Sequence, residues 1–169
     1  MPVPRPAAAR RRPYLRWVGT AVTGLALAAL FLDPAPPPVE KGDTFLTAET
    51  TGILDIEVGE CFDDPTYSRM ADDHVVVYRP CADGADNQSF GFVAVPDGPW
   101  DRAAVAAFGW AECERRFARL YPGPAADGLD YYPVLPTAQT WADGDRTIMC
   151  AVYRPAGPLA GSTLPLAGR

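Results

Sequence analysis

Four cysteines set the tightest limit on what this chain can fold into. Cys61, Cys81, Cys113 and Cys150 all lie downstream of an uncharged run, WVGTAVTGLALAALFL, at residues 17–32. Five arginines (Arg5, Arg10, Arg11, Arg12 and Arg16) and no acidic residue precede that run, and Asp33 follows it. Such a segment reads as a transmembrane signal anchor with its basic flank, residues 1–16, left in the cytoplasm. It is slightly short for a span of about 20 residues, and Tyr14 and Leu15 extend it if Arg16 snorkels to the headgroups. The competing reading is a cleaved secretory signal, whose apolar core runs about 7–15 residues. Against it, the run ends Leu-Phe-Leu-Asp-Pro with no small-x-small cleavage site, and no cysteine follows directly to carry a lipid. On either reading the cysteines emerge on the oxidising side, where an even number implies disulfides. Spacings of 20, 32 and 37 residues, with no CxxC, argue against a zinc site.

The remainder of the chain is acidic, with 10 basic against 21 acidic residues beyond position 16. A surface of that sign does not suit nucleic acid, whose phosphates need cationic partners. Residues 33–52, DPAPPPVEKGDTFLTAETTG, lack helical or strand periodicity and read as a proline-stiffened linker. From residue 53 the pattern changes. ILDIEVGECF alternates, placing Leu54, Ile56 and Val58 on one face of a strand. HVVVYR, SFGFVAV and TIMCAVYR are β-branched or aromatic runs bounded by turn residues, and the prolines of YYPVLP suggest an edge strand. Between them, residues 99–123 form one amphipathic helix with Ala106, Trp110, Cys113, Phe117 and Leu120 on its apolar stripe. Gly109 on that helix costs about 1 kcal/mol against alanine, which suggests close approach by a neighbour. The fold expected is α+β. A small, mostly antiparallel sheet over residues 53–155 is covered by one main helix and held by two disulfides, with residues 156–169 as a flexible tail.

The helix bears on the pairing of the cysteines. Cys113 lies on the apolar stripe, and Cys150 shares a strand face with Ile148 and Val152. If the helix packs on that face, Cys113 meets Cys150 and Cys61 pairs with Cys81, closing a loop that contributes about 3 kcal/mol.

Chemistry is sparse. His74 is the only histidine and has no nucleophile beside it; no serine sits in a G-x-S-x-G elbow. Asp63-Asp64 and Asp72-Asp73 are adjacent in polar loops, whereas carboxylate catalysis needs two acids facing across a cleft. Asp143-Gly144-Asp145 lacks the ligand spacing of an EF-hand calcium loop. No phosphate-binding glycine loop or cofactor motif is present, so no catalytic, cofactor or metal residue is assigned. The densest stretch, PTAQTWADGDRTIMC at residues 136–150, reads as a turn and a tryptophan wedge that aim the last strand.

The elements VGECF, Cys81, the helical AECERRF and PTAQTWADGDRTIMC together resemble the septum formation domain family of actinobacteria. Gly59, Cys61 and Phe62 match its first motif, with Glu60 in place of Asp. Pro136, Thr137, Trp141, Gly144, Asp145, Arg146 and Cys150 match its last. The family's His and Glu after the second cysteine correspond to Ala85 and Gln88 here, a departure. The resemblance spans residues 53–163. It implies a membrane-anchored extracytoplasmic protein of the envelope or division septum, whose partner is another envelope or division protein or cell-wall material. It supplies no reaction. The runner-up reading is a cell-wall hydrolase using Asp143 and Asp145 with Arg146 as an anion clamp. A sensor signalling through the short basic tail ranks third. Non-reducing peptide mapping of the oxidised protein is expected to recover Cys61 with Cys81 and Cys113 with Cys150; a Cys61–Cys113 peptide would overturn the packing argument.

Overall fold

The computed structural model describes residues 37–165, so the basic tail, the apolar run at 17–32 and the last four residues lie outside it. Among the described residues no helix is long and apolar enough to cross a membrane. The sheet has four strands in the order β1 (Cys61–Phe62), β4 (Asn87–Ala94), β6 (Thr147–Tyr153), β5 (Asp130–Val134), every pairing antiparallel. Strands β2 (Thr66–Ser68) and β3 (Asp73–Val75) form a separate hairpin. Pro133 sits on edge strand β5, where the missing N–H costs no ladder bond. This is the mixed α+β architecture expected, with one main helix and both cystines.

Helix α1 (Arg102–Leu120) starts where the Asp101 carboxylate accepts the N–H groups of Ala103 and Ala104, at 2.9 and 3.1 Å. It ends before Pro122, whose ring disfavours helix at the preceding residue. Its buried residues are Val105, Ala106, Gly109 and Cys113, while Trp110, Phe117 and Leu120 are only partly covered. The stripe is therefore rotated slightly from the expected one. Gly109 explains the shift. A Cβ there would lie 3.0 Å from Leu135 Cδ2 and 3.1 Å from Ile148 Cδ1, so the sheet side chains press directly on the helix backbone at this residue. Beneath it, Cys113 is disulfide-bonded to Cys150 with Cα atoms 5.4 Å apart; Cys61 is bonded to Cys81 at 5.1 Å.

Residues 53–62 depart from the expected strand. Only Cys61–Phe62 pairs in the sheet, and Ile53–Asp55 is a 3-10 turn entered through Gly52 at φ 86°. Ahead of that strand the buried positions are Ile53 and Ile56, three apart, as a 3-10 turn requires. Leu54 is 72% exposed and Val58 56%, so the expected Leu54–Ile56–Val58 face does not exist.

The larger departure is upstream. Residues 39–52 were expected to be a linker, yet they lie across the sheet face opposite α1. Leu46 is 1% exposed and packs with Ile53, Ile56, Phe62, Tyr132, Met149 and Tyr153. The Val39 N–H donates to Pro155 O and the Ala48 N–H to Leu135 O, each at 2.9 Å. Lys41, the only lysine in the chain, is buried there. Its ammonium pairs with Asp64, donates to Asn87 Oδ1 at 2.8 Å and sits 4.9 and 5.1 Å from the ring centroids of Phe45 and Tyr153. Tyr132 O–H donates to the same Asn87 oxygen at 2.9 Å, and burial pushes its phenol well above the usual range, keeping it a neutral donor. A compact ammonium fits between two rings and two acceptors; a planar guanidinium does not.

The C-terminal stretch is also held. Leu159 is buried and its N–H donates to Ala85 O at 2.8 Å. Gln88, fully buried, accepts the Thr163 N–H and O–H at 2.7 and 2.8 Å and donates to Gly59 O at 2.9 Å. Residues 156–165 thus form part of the fold rather than a free tail.

Lys41→Ala is expected to lower stability by about 2–3 kcal/mol, less than the full cost of breaking a buried pair because the Asp64 side chain is about a third exposed. Lys41→Arg should not restore it. Urea unfolding of the three proteins measures both effects.

Candidate functional site

The motif at residues 136–146 connects the edge strand β5 to the central strand β6, and nearly every residue in it serves that path. Pro136 is buried. Thr137 caps helix α2 (Ala138–Ala142) in a capping box with Thr140, each side chain bonding the other's backbone N–H. Trp141 is 6% exposed; its indole N–H donates to Gly98 O at 3.1 Å and its ring packs at a tilt against Trp100, centroids 5.4 Å apart. Gly144 takes φ 97° just past the helix, a position that favours glycine. Arg146 lies over the Trp141 ring at 3.9 Å, donates to the carbonyls of Trp141 and Asp145 at 2.7 and 2.9 Å, and pairs with Asp97 at 2.9 Å. Its partner is therefore Asp97, not a carboxylate of the Asp-Gly-Asp turn.

The other sequence candidates scatter. Gly59 donates its N–H to Ser89 O at 2.8 Å, and Phe62 is in the core. His74 lies exposed on β3, edge-on to Tyr67 at 5.7 Å. Asp63 accepts from Arg79, Asp64 from Lys41, and Asp72 from Tyr67. Asp73 accepts Thr51 O–H and the His74 N–H, both at 2.7 Å, and those bonds, Thr51's first, hold its carboxyl below the ordinary value. Asp143 is exposed and accepts from Gln139 at 3.1 Å. Asp143 and Asp145 do not converge on a shared cleft with Arg146. Among the described residues no group of three or more His, Cys, Asp or Glu is placed to hold a metal ion.

Asp145 alone reaches a cavity. A pocket of about 400 Å³ opens on the sheet face opposite α1, with Phe92, Val134 and Met149 as its floor. The residues read as linker and first strand provide its cover: Ala48, Ile53 and Leu54. Asp145 and Thr147 close one end, where Asp145 Oδ1 accepts the Thr147 N–H at 2.8 Å. Asp145 Oδ2 is shut off from solvent and has no hydrogen-bond donor, and among the described residues no Lys or Arg pairs with this carboxylate. Volume and lining fall in the range of small-molecule sites, mostly apolar with a few placed polar groups.

Sequence reasoning reached Asp145 but none of the apolar lining. Its residues come from four separate segments, and no local pattern joins them. Comparisons with protein-family models, with curated proteins and with solved structures find no match to this chain.

Trp141→Ala is expected to cost about 3–5 kcal/mol by opening a cavity under Trp100 and releasing the Arg146 stack. Thermal and urea melts would show the loss. A variant that folded with wild-type stability would mean that Trp141 is not the wedge aiming β6.

Proposed function

We propose that this chain is a membrane-anchored, extracytoplasmic, non-enzymatic binding or scaffold module of the cell envelope, acting in envelope or septum formation. The observation that carries this reading is the commitment of Arg146. Its Nε donates to Asp97, its Nη1 to the carbonyls of Trp141 and Asp145, and its guanidinium carbon lies 3.9 Å from the Trp141 ring centroid, so most of the group is committed to holding the turn rather than to clamping an anion. A hydrolase of the runner-up kind needs two carboxylates across a cleft, whereas the pocket is lined by one, Asp145, amid apolar side chains. That composition suits holding a ligand or partner rather than cleaving one.

Export is supported by the arginine-flanked apolar run and by two cystines with no free cysteine. The resemblance to septum formation domains gives the envelope setting, through Gly59, Phe62 and the 136–146 motif. The departure at Ala85 and Gln88 fits a member that has reassigned the second position, since Gln88 here clasps Ser162 and Thr163. With Val39 bonded to Pro155, residues 39–52 belong to the folded part rather than to the expected linker of residues 33–52.

Fractionation of actinobacterial cells producing the full chain is expected to place it in the membrane, with its C-terminal part cleaved by protease added to spheroplasts. Recovery in the soluble cytoplasmic fraction with reduced cysteines would overturn the reading. Crosslinking in intact cells should then join the exported part to a division or wall-synthesis protein or to wall glycan.

A further inference from the structure

We propose that the pocket over Phe92, Val134 and Met149 binds a small aliphatic amine, its hydrocarbon part on the apolar floor and its ammonium on the Asp145 carboxylate. The inference rests on the binding-module reading and names the ligand class of that module. Three observations carry it. The pocket holds about 400 Å³ and exposes mainly apolar surface, which calls for a hydrocarbon body of small-ligand size. Asp145 Oδ2 is buried without a donor, an arrangement that costs stability until a donor arrives. Among the described residues none is supplied: the neighbouring Arg146 is engaged with Asp97, Trp141 O and Asp145 O, and the one lysine is held by Asp64 and Asn87 on another part of the sheet.

The sign of the ligand follows from the same site. A carboxylate without a cationic partner selects a cation over a neutral donor, and it repels an anion of the same shape. The acidic balance of the chain beyond residue 16 acts in the same direction at longer range. Because Oδ2 is screened from solvent, the ammonium meets it through a turn of the carboxylate about χ2, a soft torsion. That turn moves Oδ1 as well, so the carboxylate exchanges its exposed bond from the Thr147 N–H for the ammonium's three donors. Leu54, at the rim, is mostly exposed, and the hydrocarbon would cover it.

The test uses the full chain in lipid nanodiscs and three photoreactive probes, an eight-carbon chain bearing a diazirine and ending in an amine, a hydroxyl or a carboxylate. The amine is expected to label peptides containing Phe92 or Met149 at the lowest concentration. Its half-saturating concentration should rise about tenfold or more in Asp145→Asn, the size of one charge-assisted hydrogen bond. The carboxylate probe should label at least tenfold less well than the amine. Met149→Trp, which fills the floor, should abolish labelling while non-reducing peptide maps still show both cystines. Equal labelling by all three head groups, hydroxyl labelling equal to amine, indifference to Asp145→Asn, or labelling confined to other peptides would each overturn the proposal. Cell fractionation is read independently. Loss of the amine site with the protein still in the membrane discards the ligand and keeps the module; a cytoplasmic protein that still binds amine does the reverse.

Discussion

Strand β6 is buried on both faces, and the position of almost everything else follows from that. Ile148, Cys150 and Val152 point to one side, and Met149, Ala151 and Tyr153 to the other. A strand of this kind in an open four-stranded sheet needs two covers, and the described chain has only one helix of useful length, α1. It covers the Cys150 side and is fastened there by a disulfide. The Met149 side must be closed by chain without regular structure, and residues 39–56 do this. Irregular backbone is costly to order, because each residue gives up conformational freedom without a ladder or helix to gain. Leu46, Ile53 and Ile56 offset part of that cost by burial, and the Lys41 ammonium fixes the register of the segment between Asp64, Asn87 and two aromatic rings. A polar anchor suits that purpose. Apolar contacts tolerate sliding, whereas a buried ammonium without its acceptors does not.

Elements with a period were legible in the sequence. β4, β6 and α1 carry β-branched runs or a helical stripe, and placing Cys113 and Cys150 on facing surfaces brought them together without further information. Pro133 marked β5 as an edge strand for a local reason that needs no tertiary knowledge. Residues 39–56 were misread because the hydrophobic positions of an irregular cover are set by the surface beneath it, not by its own repeat. Leu54-Ile56-Val58 shows how alternation misleads over so short a stretch. Gly52 at positive φ starts a 3-10 turn, and the buried pair becomes Ile53 and Ile56. One signal was present and carries physical content. A lone lysine in a chain whose other basic residues are all arginine marks a place where a compact ammonium is required. Gln88 was visible as a departure from a family pattern, but its clasp on Thr163 lies 75 residues away and has no local trace.

The 136–150 stretch shows why a dense run of distinctive residues is a poor guide to chemistry on its own. The chain leaves edge strand β5, makes one turn of helix and enters the middle of the sheet within a dozen residues. Each step of that path needs a specialised side chain. Thr137 caps, Trp141 wedges, Gly144 reverses the backbone, and Arg146 seals the wedge from outside. Once those roles are assigned, one group remains over: the second oxygen of Asp145. The functional candidate in the motif is the residue its structural duties leave incompletely bonded, not the residue whose side chain is most unusual.

Asp145 lines one end of a pocket with two kinds of wall. Its floor is rigid sheet, β4, β5 and β6, but its cover is Ala48, Ile53 and Leu54, carried by the irregular segment that continues upstream toward the apolar run. The pocket exists only while that segment lies on the sheet. Any molecule held there therefore binds the docked arrangement and not the undocked one, and by linkage it strengthens the docking with the logarithm of its concentration once that exceeds its dissociation constant. The reverse holds equally: weakening the Lys41 anchor lowers the affinity of the pocket although Lys41 is not among its lining residues. The same residues, 39–56, thus serve both as cover for the core and as one wall of the pocket. Occupancy of the pocket and docking of the segment would be two readings of one packing equilibrium.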